Sequence, residues 1–188
     1  MRKIFKIILI IFAVLIIIFV AFAALIFLDL AAYTATGSKT LTPTGTSVGK
    51  ALVVYDPGLS GTAKGVADKV ASDLQSQSYT VTLAGIKSSV ATKTAGFAII
   101  VVGGPVYAGS LTASVKDDLK SLKPDSEAKV GVFGSGQGAT SQSDIDMMKS
   151  TVPVLSNNGS LMNAIVVKIG EKEDLNTRAQ DFVNQLLS

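Results

Sequence analysis

Residues 7–28 form a run of 22 residues without a charged side chain, nearly all of them Ile, Leu, Val, Phe or Ala. As an α-helix this run would be about 33 Å long, which is enough to cross the hydrocarbon core of a bilayer. A helix that is apolar on every face would need protein on all sides if it lay in a soluble core. We therefore predict a transmembrane anchor over residues 1–32.

A cleavable signal peptide is the alternative interpretation of the same run. It too begins with basic residues, and cleavage could occur near Ala31 and Ala32. The apolar core of a signal peptide is usually about 7 to 15 residues long, which is shorter than the run in this chain. The length therefore favours a retained anchor.

The charges beside the apolar run are distributed unevenly. Arg2, Lys3 and Lys6 precede it, whereas only Asp29 and, further on, Lys39 follow it. Because basic residues are enriched on the cytoplasmic side of a membrane segment, we expect a cytoplasmic N-terminus and an extracytoplasmic domain. The chain is thus predicted to be a single-pass protein of the cell membrane, with residues 7–28 in contact with lipid.

A stretch rich in Ser, Thr and Gly follows the anchor. Residues 34–49 show no hydrophobic periodicity, and this composition is typical of a solvated tether, so a linker is predicted over 33–49. Further along, Asn158, Gly159 and Ser160 form a formal glycosylation sequon, which matters only if this part is extracytoplasmic. A simple Asn-Gly turn explains the same residues.

The chain from residue 50 to residue 188 alternates short apolar runs with helical patterns. Four runs are rich in Val and Ile, as buried parallel strands are, and one alternates like a strand with a wetter face or an edge position. A weak helix is also expected over 86–94. This alternation predicts an α/β domain with a doubly wound parallel sheet. The five predicted strands are 51–55, 79–84, 97–102, 130–133 and 164–169, of which 79–84 is the alternating one.

Composition excludes several classes of function. The chain has no Cys, His or Trp, which removes disulfides, thiolate and imidazole metal sites, and catalysis by Cys or His. The net charge of +3 is confined to the N-terminus, because from Lys50 onward 13 basic residues face 13 acidic ones. No nucleic-acid partner, no metal site and no catalytic residue is therefore predicted, and redox chemistry would need a bound cofactor.

The loop after the first strand is rich in small residues and leads directly into a helix. Its backbone N–H groups can approach an anion, Ser60 and Thr62 add hydroxyl donors, and the helix N-terminus favours negative charge. A phosphate group fits this chemistry, although the loop is neither a Walker A loop nor a dinucleotide fingerprint. A tight chain reversal is the alternative explanation. The candidate residues are Gly58, Leu59, Ser60, Gly61, Thr62 and Ala63.

Two later loops also follow predicted strands. After the third strand, an aromatic ring beside a proline could stack on a planar ligand or could simply cap the core. After the fourth strand, a glycine-rich loop offers backbone N–H groups and one amide, or is no more than a flexible turn. The candidate residues are Pro105, Val106, Tyr107, Ala108 and Gly109 in the first of these loops and Gly134, Ser135, Gly136, Gln137 and Gly138 in the second.

Together these loops resemble those of the flavodoxin family. Residues 60–67 lie on that family's phosphate-loop pattern of Thr-Gly-Asn-Thr followed by a charged pair, Val and Ala. Residues 103–109, Gly-Gly-Pro-Val-Tyr-Ala-Gly, are similar to its Gly-Ser-Pro-Val-Tyr-Ala-Gly. The resemblance covers residues 50–188 in a short-chain form. It implies a five-stranded sheet in the order 2-1-3-4-5 with FMN at its carboxyl edge.

The resemblance also implies roles for the three loops. Residues 58–63 would bind the FMN phosphate, residues 105–109 would line the isoalloxazine with Tyr107 as the stacking ring, and residues 134–138 would contact its pyrimidine side. Gly58 and Ala63 stand where the family offers hydroxyls, and Asp56 brings a negative charge close to the loop. A membrane-anchored flavodoxin-like electron carrier that uses FMN and a membrane or surface redox partner is the leading hypothesis.

Two other functions remain to be weighed against it. A degenerate flavodoxin fold without cofactor, acting as an anchored binding or scaffold module, is the alternative, because a fold alone does not fix function. An anchored hydrolase that uses Ser60 or Ser135 is disfavoured, since the chain has no His to activate a serine and no Gly-x-Ser-x-Gly elbow.

Overall fold

The computed structural model describes the backbone of residues 2–30 and 35–188 and, within the first range, the side chains of 5–6 and 9–25. The helices are α1 (Arg2–Leu30), α2 (Thr62–Ser76), α3 (Ala113–Ser121), α4 (Gln142–Ser150) and α5 (Leu175–Leu187), with a 3-10 turn at Pro153–Leu155. The strands are β1 (Ser38–Leu41), β2 (Gly49–Tyr55), β3 (Tyr79–Gly85), β4 (Ile99–Tyr107), β5 (Ser110–Leu111), β6 (Lys129–Gly136) and β7 (Ile165–Gly170).

Helix α1 carries the apolar run. Its described large apolar side chains are exposed, from 48% at Val14 and Ile16 to 73% at Phe19. Across the residues that the structure describes, no helix is long and apolar enough to cross a membrane. The end of the predicted anchor and the alternative cleavage site at Ala31 and Ala32 lie outside the described residues.

The sheet has seven strands, in the order β1-β3-β2-β4-β6-β7 with β5 paired to β4. Five of them are mutually parallel, and numbered among themselves in chain order they run 2-1-3-4-5. Side chains alternate between two cores, as the pleat requires. Helices α2 and α5 cover one face, and α3 and α4 cover the other. The expected parallel α/β architecture is therefore present, but with two strands more than predicted.

Strand β1 corrects the prediction of a solvated tether over 33–49. Residues 38–41 pair antiparallel with 81–84 of β3, and Lys39 forms an ion pair of 3.0 Å with Asp68 of α2. The pairing is made by the backbone, and the strand's side chains are mostly exposed, so it has no hydrophobic alternation to reveal it. Of the described residues, those from 35 onward therefore belong to the folded domain.

Two smaller expectations differ from the structure. The segment 86–94, where a weak helix was expected, is a series of turns. Ile86 and Ala91 nevertheless pack in the core. The apolar spacing of Leu111, Val115, Leu119 and Leu122 predicts a helix that includes Leu111. Leu111 lies in β5 instead, because the chain first turns back as a short hairpin.

Candidate functional site

All the predicted site residues lie at the carboxyl edge of the parallel sheet. Strand β4 pairs with β2 on one side and with β6 on the other, so the segments that follow these three strands are neighbours. This is the edge at which ligands bind in open α/β sheets. A hollow of about 440 Å³ lies between residues 86–92 and 114–121, and a larger one of about 820 Å³ lies at the opposite edge between residues 122–130 and 160–165.

Asp56, the first residue after β2, is completely buried and turns away from the loop surface. Its Oδ2 accepts hydrogen bonds from Thr112 Oγ1 at 2.8 Å and Ser114 Oγ at 2.6 Å, and its Oδ1 accepts one from the Gly58 N–H at 3.3 Å. Thr112 is the N-cap of α3, so the helix dipole also favours the carboxylate. The negative charge therefore stabilises the loop from below and does not face a ligand above it.

Thr112 and Ser114 are two site residues that sequence reasoning missed. Both hydroxyls are buried, and the three side chains form one network at the start of α3. The local signal was a Thr followed two residues later by a Ser at a helix start, which is typical of an N-cap and gives no hint of a partner 56 residues away.

The rest of the first loop forms a concave turn at the N-terminus of α2. Gly58 and Gly61 adopt φ values of +64° and +73°, which glycine tolerates without strain. Gly61 caps α2 without a side chain, and the Thr62 N–H donates to Ser60 Oγ at 3.3 Å. The N–H groups of residues 63 and 64 are therefore the ones directed at the space above the helix end. The exposed hydroxyls of Ser60 and Thr62 lie 3.0 Å apart beside it. These donors fit an anion the size of a phosphate.

Ala63 and Leu59 point in opposite directions from this turn. The Ala63 side chain is 1% exposed and packs in the core, so at this position α2 presents only its backbone to the loop surface. Leu59 is 58% exposed at the tip of the loop. A hydroxyl is thus missing at 63, and the backbone N–H is the donor that remains.

Residues 105–109 form a tight hairpin, where the sequence suggested an open loop. Strand β4 continues to Tyr107, turns through Ala108 and Gly109 and returns as β5, with Tyr107 opposite Ser110. Ala108 and Gly109 have φ values of +48° and +78°, as the central residues of a type I′ turn require. Tyr107 is half-buried at the end of this hairpin, so it neither projects freely nor is sealed in the core.

The hairpin contacts both neighbouring segments. A Cβ on Gly58 would lie 3.0 Å from Pro105 Cγ, so the first loop rests on that ring. On the other side, a Cβ on Gly134 would overlap Val106 Cγ2, and one on Gly136 would lie 3.2 Å from the Val106 carbonyl oxygen. The absence of side chains at 134 and 136 therefore lets the hairpin lie on β6.

The third segment leaves β6 at its carboxyl end. Gly134 and Ser135 are buried within the strand, whereas Gln137 and Gly138 are exposed beyond it, with Gly138 at φ +77°. The Gln137 side chain and the Gly138 backbone are accessible on the same edge of the sheet as Tyr107. No described residue forms a hydrogen bond with the Gln137 side chain that would fix it elsewhere.

Glu173, also missed from the sequence, ties this segment to β7. Its Oε2 accepts from the Gly170 N–H at 2.7 Å and from Thr140 Oγ1 at 2.8 Å. Burial acts to raise the pKa of Glu173, but the hydrogen bonds from Gly170 and Thr140 and the charge of Arg178 outweigh it and lower the pKa. The carboxylate is thus ionised and holds the loop in place. In the described part of the chain, no cluster of three or more His, Cys, Asp or Glu is placed to hold a metal ion.

The fold is similar to that of solved flavodoxin structures. Flavodoxin 2 from Bacillus cereus matches with a TM-score of 0.53 and 18% identity over 73% of this chain and 97% of that chain. The flavodoxin of Streptococcus pneumoniae TIGR4 matches with a TM-score of 0.52 and 20% identity over 73% and 97%. An NADH:FMN oxidoreductase in its apo form matches with a TM-score of 0.51 and 10% identity over 74% and 88%. The chain therefore has a flavodoxin-like α/β fold.

No family model matches the chain, and no curated protein matches it.

Proposed function

We propose that this chain is a membrane-anchored electron carrier that binds FMN at the carboxyl edge of its sheet. The observation that carries the proposal is the inward turn of Asp56, which leaves the N-terminus of α2 free of a facing carboxylate. In this proposal the hydroxyls of Ser60 and Thr62 and the backbone N–H groups of residues 58–63 hold the phosphate. The bound flavin would supply the redox chemistry, which the side chains of this chain cannot.

The rest of the edge suits the ring system of a flavin. Tyr107 offers a half-buried aromatic surface at the end of the hairpin whose Pro105 lies against the phosphate turn, and aromatic rings pack well against planar ligands. The exposed segment at Gln137 and Gly138 offers an amide and backbone N–H groups to the polar edge of the ring. Residues 105–109 and 134–138 are therefore assigned to the isoalloxazine in this proposal.

The anchor is the second part of the proposal. It is supported by the uncharged run at 7–28 and by the exposure of the apolar side chains described in α1. The excess of basic residues before this run favours a cytoplasmic N-terminus and an extracytoplasmic domain. Electrons would then be exchanged with a partner in or at the membrane.

Flavin titration of the full chain in detergent micelles tests the cofactor. We expect quenching of flavin fluorescence and tighter binding of FMN than of riboflavin, which has no phosphate. The double variant Ser60→Ala/Thr62→Ala should lose roughly tenfold in FMN affinity and leave riboflavin affinity unchanged, because only the phosphate donors are removed. Ser72→Ala, an exposed hydroxyl elsewhere on α2, is the matched control.

The same titration separates the proposal from the cofactor-free alternative. The buried methyl group of Ala63, where a hydroxyl would strengthen a phosphate site, is the observation that favours that alternative. If the folded chain quenches neither flavin at high micromolar concentration, the FMN proposal is wrong and an anchored scaffold is the remaining function.

A further inference from the structure

The chain joins its folded domain at the same edge as the candidate flavin loops. Because β1 runs antiparallel to β3, its first residue, Ser38, lies opposite Ala84 near the carboxyl end of β3. Just before it, the Ala35 carbonyl accepts a 2.7 Å hydrogen bond from the Lys87 N–H. The first described residue of the domain is therefore held at the carboxyl edge.

Close packing fixes this junction. The Gly37 carbonyl accepts a 2.8 Å hydrogen bond from the Gly85 N–H, and Ala35 is 8% exposed. A Cβ on Gly85 would come within 2.6 Å of the Ala35 carbonyl group, so only a glycine allows the two segments to approach this closely. The attachment at residues 35–37 is thus part of the fold.

The connection between the apolar run and this junction is short. Seven residue steps separate residue 28 from Ala35, and an extended chain covers at most about 3.6 Å per step, or roughly 25 Å. Neighbouring strands are about 4.8 Å apart, so the segments that follow β2 and β4 lie about 10 and 15 Å across the sheet from β1. An anchor in a bilayer would therefore keep all these segments near the membrane surface.

We infer that the carboxyl edge of the sheet faces the lipid surface, so that the proposed flavin site opens toward the membrane. This inference rests on the membrane anchor of the proposed function. Exposed apolar side chains do not distinguish the two edges. Leu59 and Met147 on the carboxyl edge are 58% and 47% exposed, and Val48 and Met162 on the amino edge are 67% and 54% exposed.

One loop of the opposite edge carries exposed charges of both signs. The loop that leads into β6 presents four charged residues, Lys123, Asp125, Glu127 and Lys129, all of them exposed. Charges of both signs at this density are typical of a surface that stays in water. Exposed charges also lie on the carboxyl edge, at Lys87, Glu171 and Lys172, so the inference rests on the attachment of the chain at that edge. The redox partner would then be reached from the membrane side.

The absence of cysteine from the chain allows a direct test with single-cysteine reporters. The full chain is reconstituted into phosphatidylcholine vesicles that contain a headgroup-labelled acceptor lipid. A donor dye is attached at Leu59→Cys or Lys87→Cys on the carboxyl edge, or at Ser126→Cys on the amino edge. Energy transfer to the lipid acceptor should be at least about twofold higher from 59 and 87 than from 126, because seven-residue strands separate the edges by roughly 23 Å.

A flexible insertion provides the control. About twelve Gly/Ser residues placed between 34 and 35 release the domain from the membrane, so the difference between the two edges should shrink. Equal transfer from the three reporters in the parent chain, or higher transfer from 126, overturns the inference. Vesicle flotation tests whether the chain is anchored in the membrane, and FMN titration tests whether it binds the flavin. A wrong orientation is therefore distinguished from a missing anchor and from a missing flavin site. A chain that does not float with the vesicles overturns the inference together with the anchor.

Discussion

Ser114 Oγ donates a 2.6 Å hydrogen bond to Asp56 Oδ2, and this contact joins the start of α3 to the loop after β2. The Asp56 carboxylate also accepts hydrogen bonds from the Thr112 hydroxyl and from the Gly58 N–H. One buried group therefore fixes the orientation of the loop after β2. A buried charge is tolerated when it is fully hydrogen-bonded, as it is here. The shape of the proposed phosphate site thus depends on residues outside it.

Replacing this acceptor should destabilise the domain. Asp56→Ala leaves the hydroxyls of Thr112 and Ser114 buried with one partner fewer, and we expect the free energy of unfolding to fall by about 2–4 kcal/mol. Urea denaturation of residues 35–188 measures this. Asp117→Ala is the control, since that side chain is 73% exposed and its loss should change stability by less than about 0.5 kcal/mol. Similar values for the two variants would show that the network does not hold the loop.

Ala108, in the turn of the β4–β5 hairpin, has a strained backbone conformation that a substitution can relieve. Ala108 has φ +48°, a conformation that asparagine tolerates better than alanine, and its side chain is exposed. Ala108→Asn creates the Asn-Gly pair that type I′ turns prefer, so the free energy of unfolding should rise by about 0.5–1 kcal/mol. Ala108→Val should lower it by about 1 kcal/mol or more, because β-branching opposes positive φ. Thermal denaturation of both variants measures these changes. A higher stability of Ala108→Val than of the parent chain would contradict the assignment of a type I′ turn.

Asp118 should make stability depend on pH in an unusual direction. Burial raises the pKa of this carboxyl from 3.8 to about 6, against the nearby charge of Lys87, and its Oδ2 has no hydrogen-bond partner. From pH 4 to pH 6 the unfolded chain releases this proton while the native state retains it. Stability from this group is therefore present at low pH and is lost as pH rises to about 6, by an amount on the order of 3 kcal/mol.

The variant Asp118→Asn checks this expectation. It cannot ionise, so the decline in the free energy of unfolding between pH 4 and pH 6 should become smaller, and stability at pH 7 should rise. Asp117→Asn changes an exposed carboxyl on the same helix and should retain the decline. An unchanged pH profile in Asp118→Asn would show that another group is responsible.

The sequence was sufficient for the elements that bury apolar side chains. The central parallel strands leave continuous apolar runs, because both of their faces are buried, and the helices leave a periodic pattern, because each presents one face to a core. Strand β1 leaves no such pattern, since its contribution is backbone pairing with mostly exposed side chains. The candidate site has the same limit, because only the Gly and Pro residues of its loops indicated where these loops lie.

The direction of Asp56 could not be predicted, because it depends on hydroxyls 56 and 58 residues away in the chain. The hairpin was missed for a related reason. Its position depends on Val106 fitting against Gly134 and Gly136, a contact between two strands that single-segment patterns do not contain. Local composition thus identifies where a loop is, and the packing of distant elements decides which way its groups point.

Removing β1 should expose this dependence on backbone pairing. A fragment of residues 45–188 keeps all of β2 but loses the pairing of 38–41 with β3 and the contacts of Ala35 with Lys87, and it leaves an unpaired strand edge. Relative to residues 35–188, we expect the free energy of unfolding to fall by about 2–4 kcal/mol, since several backbone hydrogen bonds are lost at about 1 kcal/mol each. Self-association should also increase in size-exclusion chromatography as concentration rises. Lys39→Ala in residues 35–188 removes only the exposed ion pair with Asp68, so it should cost less than about 1 kcal/mol. If the shorter fragment matched the longer one in both measurements, β1 would be dispensable, and the attachment of the chain at the carboxyl edge would lose its structural basis.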